Sequence, residues 1–289
     1  MRIQMFVTLA LIASLMTSAE SAAADVIFRD GFETGDRSSS TNGFVWSRTG
    51  DRVYVSSDTA RTGTHSLCFF YLGKPSGEDS TAEQRFKLGA PRTEIWMQFW
   101  VKIPKNYYHR DDSPSNNKFI TLWSKDYTDY GNSVIIGLWS DTHWDNVLKA
   151  RVTDTGNTVV NWGSVGPPKG PSDSTLFIDR ATDLGKWIEV TFHWKLASGK
   201  GANDGVVELW KGDEDGRRQL FSRHDVPNWG PDDGKDPAYN FLDQGYLFGW
   251  ANSGFSNDTY FYVDDFTVST SPLIPIPVAP KSPTKVIAN

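Results

Sequence analysis

Residues 94–104 read EIWMQFWVKIP, and they carry two messages at once. Ile95, Met97, Phe99, Val101 and Ile103 fall on one side of an extended chain, and Glu94, Trp96, Gln98, Trp100 and Lys102 on the other. A period of two is the mark of a β-strand, and its wholly apolar side must face a core. The other side is odd for a surface, because two indoles and an amide stand among its charges. Residues 187–196, WIEVTFHWKL, repeat the habit: Ile188, Val190, Phe192, Trp194 and Leu196 oppose Trp187, Glu189, Thr191, His193 and Lys195.

Other runs extend the pattern along the chain. VIFRDGF, SLCFFYL, AEQRFKL, KFITLWS, SVIIGLWS, VLKARVTD, GVVELWKG, GYLFGW and TYFYVDDFTVS all read as strands, with Gly, Asn, Asp and Pro between them. Asn203-Asp204-Gly205 marks a turn before GVVELW and predicts a hairpin with the strand at 187. No long helical period and no internal repeat interrupts this series. Many short strands with turn signals between them predict an all-β fold, a two-sheet antiparallel β-sandwich of jelly-roll type.

In such a sandwich one face of each sheet packs inward and the other faces out. An outward face of Trp, Gln, His, Thr, Glu and Lys suits a glycan: indoles stack on the C–H face of a sugar, and polar tips bond its hydroxyls. The alternative is an outer sheet whose indoles are covered by a loop.

The first 24 residues read as a secretory signal peptide, with Arg2 in a basic start, MFVTLALIASLM as an apolar segment too short to span a bilayer, and an Ala22–Ala24 cleavage site. The expectation is an exported chain, secreted or periplasmic, with one domain over 25–270. From Ser271 the Pro-rich stretch SPLIPIPVAPKSPTKVIAN reads as an extended tail over 271–289. About 265 residues remain after cleavage, which is enough for one large β domain. The single cysteine, Cys68, allows no internal disulfide and reads as a small buried hydrophobe. A monomer is expected.

The formal charge of −6 offers no global field for nucleic acid or another polyanion, so an anionic ligand would need a local basic patch. The 12 tryptophans exceed what a core of this size needs, which predicts exposed indoles with a purpose. Basic groups that could converge on a groove are Arg85 in AEQRFKL, Lys118 in NNKFITLWS, and Lys149 and Arg151 in VLKARVTD. Ordinary cross-strand pairing, for instance of Glu83 or Glu94 with Arg85 or Lys102, is the plainer reading of such charges. The five histidines form no zinc signature. No G-x-S-x-G elbow and no phosphate loop occur. The E-x-D-x-x-E spacing of laminarinase-type jelly rolls is missing, which argues against glycoside hydrolysis.

Five segments in order carry a resemblance. DGFETGD resembles the F-E-S/T-G opening of glucuronan-lyase-like and heparin-lyase-I-like polysaccharide lyases. ARTGTHSL resembles their A-x-S/T-G-x-x-S segment, and WIEVTFHWKLASGKGANDGVVELWKGD their paired strands ending in D-G-x-x-E-x-W. YLFGW and YFYVDDFTVS resemble their closing strands. The resemblance runs over residues 28–270 and implies a concanavalin-A-like jelly roll. That fold also hosts hydrolases and lectins.

The resemblance implies a structural Ca²⁺ held by Glu33, Thr62 and Asp264 or Asp265, since hard oxygens suit that ion. His65 departs from it, standing where an oxygen-bearing Asn is expected. It further implies β-elimination on a polyuronate. A cation or amide neutralises the uronate carboxylate, a base takes the C5 proton, and an acid protonates the leaving oxygen. The expected cast is His193 or Lys118 as base, Arg85 and Gln98 as carboxylate neutralisers, and Tyr127 or Tyr130 as acid. Trp96, Trp100, Trp139 and Trp250 would be stacking platforms, with Lys195 and Arg151 on the substrate. Lys118 stands where similar lyases often place a His or Gln-x-His. A non-catalytic glycan-binding jelly roll is the second expectation.

Overall fold

The computed structural model describes residues 25–108, 110, 116–124, 135–141, 147–153, 159–161, 178–226, 238, 240–252 and 254–274. Residues 116, 135–141, 147–153, 159–161 and 221 are described by their backbone alone. The chain forms two antiparallel sheets packed face to face, a β-sandwich of jelly-roll type.

The first sheet contains β1 (Val26–Asp30), β4 (Val53–Ser56), β5 (Ser66–Tyr71), β7 (Glu94–Lys102), β12 (Trp187–Lys195), β13 (Gly205–Asp213), β14 (Gly216–Val226) and β16 (Thr259–Ser269). Its order is β14-β13-β12-β7-β16-β5-β4, with β1 on the free part of the β16 edge. The second sheet contains β2 (Ser40–Thr41), β3 (Phe44–Thr49), β6 (Ser80–Arg92), β8 (Asn116–Trp123), β9 (Ile135–Asp141), β10 (Val147–Thr153), β11 (Val159–Asn161) and β15 (Leu242–Ala251). Its order is β11-β10-β9-β8-β15-β6-β3-β2. The hairpin expected around Asn203-Asp204-Gly205 joins β12 to β13.

The inward faces follow the alternation. Ile95, Met97, Phe99 and Val101 of β7 and Ile188, Val190, Phe192 and Trp194 of β12 all enter the core. Phe86 and Leu88 of β6 and Ile120 and Leu122 of β8 meet them from the second sheet. Aromatic contacts bind the layers: Phe266 of the first sheet lies 5.9 Å from Phe86 of the second, and Phe261 lies 5.2 Å from Phe248. Truncating one such ring, as in Phe99→Ala, costs about 3–5 kcal/mol in a close-packed core.

Two of the register shifts in the second sheet bear on the site. The β8 ladder slips between Lys118 and Ile120, and the β15–β8 ladder breaks between Leu247 and Ala251. Phe248 sits there at φ 56, in the left-handed region that bulky residues avoid, followed by Gly249 at φ 144. These bulges change the facing of the strand ends, and the candidate site is built on them. Cys68 is fully buried, as expected, and burial pushes its thiol up to about 11.

Candidate functional site

The outward face of the second sheet is read from its pleat. On β15 a Cβ at Gly245 would strike Phe86 and Leu122, and Leu247 is in the core, so Tyr246 points outward. By the same parity Thr121 and Trp123 of β8 and Glu83, Arg85 and Lys87 of β6 point outward. Register then sets a row across three strands: Arg85 is paired with Tyr246, and Tyr246 with Thr121. The row continues by backbone to Gly137 of β9 and Arg151 of β10.

Tyr246 and Trp123 pack together, centroids 5.6 Å apart, as a buried pair separate from the main core. The Arg85 guanidinium lies 5.6 Å from the Trp123 ring and bonds Glu83 at 2.6 Å. The Tyr246 ring rests against Gly249, where a Cβ would come within 3.0 Å of it. Beyond the bulge Trp250 pairs with Thr81 and is 50% exposed, so it can serve as an apolar platform. Lys118 is 8% exposed, and its ammonium donates to Asn252 Oδ1 at 2.8 Å and to the Trp250 carbonyl at 3.3 Å. Trp139 is opposite Lys118 in the ladder.

The remaining expected residues lie on the other sheet. Trp96, Gln98, Trp100, His193 and Lys195 occupy the outward face of β7 and β12, opposite the core from Lys118 and Arg85. There they are engaged with one another. The His193 ring stacks on Trp96, and Trp96 on Trp210. Both His193 nitrogens face carboxylates, Nδ1 to Glu208 and Nε2 to Glu94, each at 2.8 Å. Gln98 donates to Glu189 and Thr191, and Arg217 pairs with Glu189. Burial raises the Glu208 carboxyl, but bonds from His193, His224 and Ser222 outweigh it and hold the group below its ordinary value. The structure therefore separates the two candidate bases onto different sheets and groups Lys118 with Arg85 and Trp250. Tyr127 and Tyr130 lie outside the described residues, as do the side chains of Trp139 and Arg151.

Trp100 lies beneath the 57–65 loop, with Arg61 over its ring at 4.3 Å. The four expected calcium ligands hold this loop. Glu33 accepts from the amides of Thr64 and His65 at 3.0 and 2.8 Å. Asp264 accepts from the amides of Arg61 and Thr62 at 2.7 and 3.2 Å, and Asp265 from the Thr62 hydroxyl at 2.7 Å. Gly63 is required, because at φ +62 a Cβ would strike the Glu33 carboxylate. Burial pushes the Asp264 carboxyl up to about 6, against its amide bonds and with the neighbouring Asp265 charge adding to it. The donors are hard oxygens, but Asp264 Oδ2 and both Glu33 oxygens already accept two hydrogen bonds each, so a cation would compete with the loop for them. Among the described residues no group of three acidic, histidine or cysteine side chains is placed to hold a metal ion, so a cation here would complete its shell with hydroxyl and backbone oxygens.

Sequence reading missed Tyr246. Its signal was its parity: in GYLFGW it falls opposite to the core-facing leucine, as Trp96 does in its own strand.

No family model and no curated protein matches the chain. Among solved structures, the alginate lyase vAL-1 from a Chlorella virus superposes with a TM-score of 0.55 at 11% identity, over 86% of this chain and 100% of that one. A mutant of the alginate lyase Aly36B in complex with an alginate trisaccharide gives a TM-score of 0.52 at 11% identity, over 87% and 100%. The cellulose-induced protein Cip1 gives 0.50 at 14% identity, over 84% and 97%. At these identities the likeness is one of fold, and the fold is the jelly roll that these alginate lyases share.

Proposed function

We propose that this chain is an exported polysaccharide lyase that cleaves a uronate-containing glycan by β-elimination on the outward face of the second sheet. The observation that carries the reading is the contiguous placement of Arg85, Tyr246 and Thr121 in one cross-strand row, with Lys118 and the exposed Trp250 beside it. Cations on an otherwise acidic chain supply the local field a uronate requires. The likeness to alginate lyases supports the same reading through the fold.

In the reaction, the C5–H bond breaks and its electron pair becomes the C4=C5 double bond. The C4–O4 bond breaks, and the leaving oxygen takes a proton from the enzyme as the C5 proton passes to it. A cation at the uronate carboxylate stabilises the charge that develops at C5. Lys118, Arg85 and Tyr246 are the described groups able to perform these steps. Calcium, held at Glu33, Thr62, Asp264 and Asp265, enters only as a brace between the first strand, the last strand and the 57–65 loop. No nucleic acid is a partner in this reading, and among the described residues no helix is long and apolar enough to cross a membrane.

The test is ultraviolet absorbance of the unsaturated product with glucuronan, alginate, pectate, heparin and hyaluronan. A rise on one polymer establishes the lyase. A second reading, a glycan-binding jelly roll without turnover, is favoured by the Glu83 carboxylate that already engages Arg85. Retardation in a polymer gel without absorbance change would select it.

A further inference from the structure

Lys118 does not stand alone on its strand. Two oxygens that accept from its ammonium come from residues 250 and 252, just past the bulge at Phe248 and Gly249. That same bulge seats the Tyr246 ring against Gly249. One irregularity in β15 thus fixes the lysine and the phenol together.

The amide of Asn252 has no choice of orientation. Its Nδ2 donates to Asp79 Oδ2 at 3.0 Å, which turns Oδ1 towards the lysine at 2.8 Å. Asp79 precedes β6 and Asn252 follows β15, so the relay ties the ends of two neighbouring strands to the lysine. Oxygens that accept from an amine bond its charged form more strongly than its neutral form. A lysine working as a base would need the opposite surroundings.

We propose that Asn252 is a positioning residue, oriented by Asp79, which holds Lys118 as a fixed cation for the substrate carboxylate and leaves proton transfer to Tyr246. This rests on the lyase reading above and divides the roles within it. Lys118 changes no bond in the elimination. Its ammonium pairs with the uronate carboxylate, while the phenol of Tyr246 gives its own proton to the leaving O4 and takes the C5 proton in its place.

Arginine can hold a carboxylate but cannot take a proton. Lys118→Arg is therefore expected to keep turnover within about 100-fold of the parent, and Lys118→Met to lose it. Asn252→Ala is expected to raise KM for the polyuronate about tenfold, the loss of one hydrogen bond to a charged group. It should leave both limbs of the pH–rate profile in place. A Lys118→Arg protein that melts cooperatively, binds polymer and turns over nothing would assign the base to Lys118 and overturn the proposal. So would an Asn252→Ala protein whose acidic limb moves.

If Lys118→Arg does not fold, Asn252→Ala decides alone. If the parent releases no unsaturated product, the lyase reading fails separately. The cation role is then read from gels: Lys118→Met and Asn252→Ala should lose retardation by a polyuronate and keep their migration in a neutral glucan. Full retardation of both variants, or no retardation of the parent, ends the proposal.

Discussion

The imidazole of His193 lies flat on the indole of Trp96, with ring centroids 4.1 Å apart and planes 7° from parallel. Both of its nitrogens are bonded to carboxylates, and the ring is 7% exposed. A ring so engaged holds three strands together: Trp96 and Glu94 on β7, His193 on β12 and Glu208 on β13.

His193→Ala should therefore be a stability variant. It leaves Glu208 without its main partner in a buried position and removes the stack on Trp96. A loss of about 3 kcal/mol is expected in urea unfolding. Turnover per folded molecule on the polymer the parent accepts should be unchanged. A folded His193→Ala protein that binds polymer but has lost turnover would move the active face to the first sheet.

Acid should weaken the same cluster. The Glu208 carboxyl is held below its ordinary value of 4.5 in the folded protein. Its contribution to stability is thus fully present above about pH 4.5 and is lost as pH falls through the lower folded value. Melting temperature against pH should decline at the acid end in the parent, and less steeply in Glu208→Gln, which starts from a lower value at pH 7. Parallel curves for the two proteins would remove Glu208 from the acid transition.

Gly249 gives a second handle on the proposed site. Its φ of 144 and the 3.0 Å approach of a Cβ to the Tyr246 ring mean that Gly249→Ala must move the phenol or the bulge. Tyr246→Phe keeps the ring, its packing on Trp123 and the bulge, and removes only the hydroxyl. We expect Tyr246→Phe to lower kcat by about 10²–10⁴ with polymer retardation retained, the range of a lost acid–base group. Tyr246→Phe turnover equal to the parent's would take the proton from this residue.

Calcium should act on stability through the 57–65 loop. Asp264 is fully buried beside Asp265, whose charge adds to the burial that raises its carboxyl. A bound divalent ion would offset that charge and tie β1 and β16 to the loop. Millimolar calcium is expected to raise the melting temperature of chelator-treated protein by several degrees, and Glu33→Ala to abolish the rise. A melting temperature indifferent to calcium and chelator would leave the loop held by its amide bonds alone.

The strand-by-strand character of this protein was legible in single stretches. In β7 and β12 the period of two picked out the core-facing residues, because alternation is a property of one chain in extended form, but it did not show that Trp96, Glu189, Thr191 and His193 of the outward face are buried as well. Strands with weaker alternation escaped. GRRQLFSRHDV of β14 and FVWSRT of β3 are exposed or half-buried at most positions, since β14 is an edge strand and β3 lies next to one. The hairpin at Asn203-Asp204-Gly205 was readable because its turn is local.

What the sequence could not decide is which polar faces share a surface. Trp96, Gln98 and His193 have the same chemistry as Tyr246, Lys118 and Trp250, and both sets alternate with core residues. Membership of one sheet or the other depends on pairing between strands far apart in the chain, such as β7 with β12 and β6 with β15. Those ladders are made of backbone hydrogen bonds, which carry no side-chain signature. The bulges that turn Lys118 towards Asn252 and seat Tyr246 on Gly249 arise from the same pairing. Composition and periodicity determined that this chain would be a sandwich with aromatic, polar outer faces. Only the tertiary structure decided that one of those faces is locked by its own ion pairs while the other sets an arginine and a tyrosine in register, with a lysine further along the neighbouring strand.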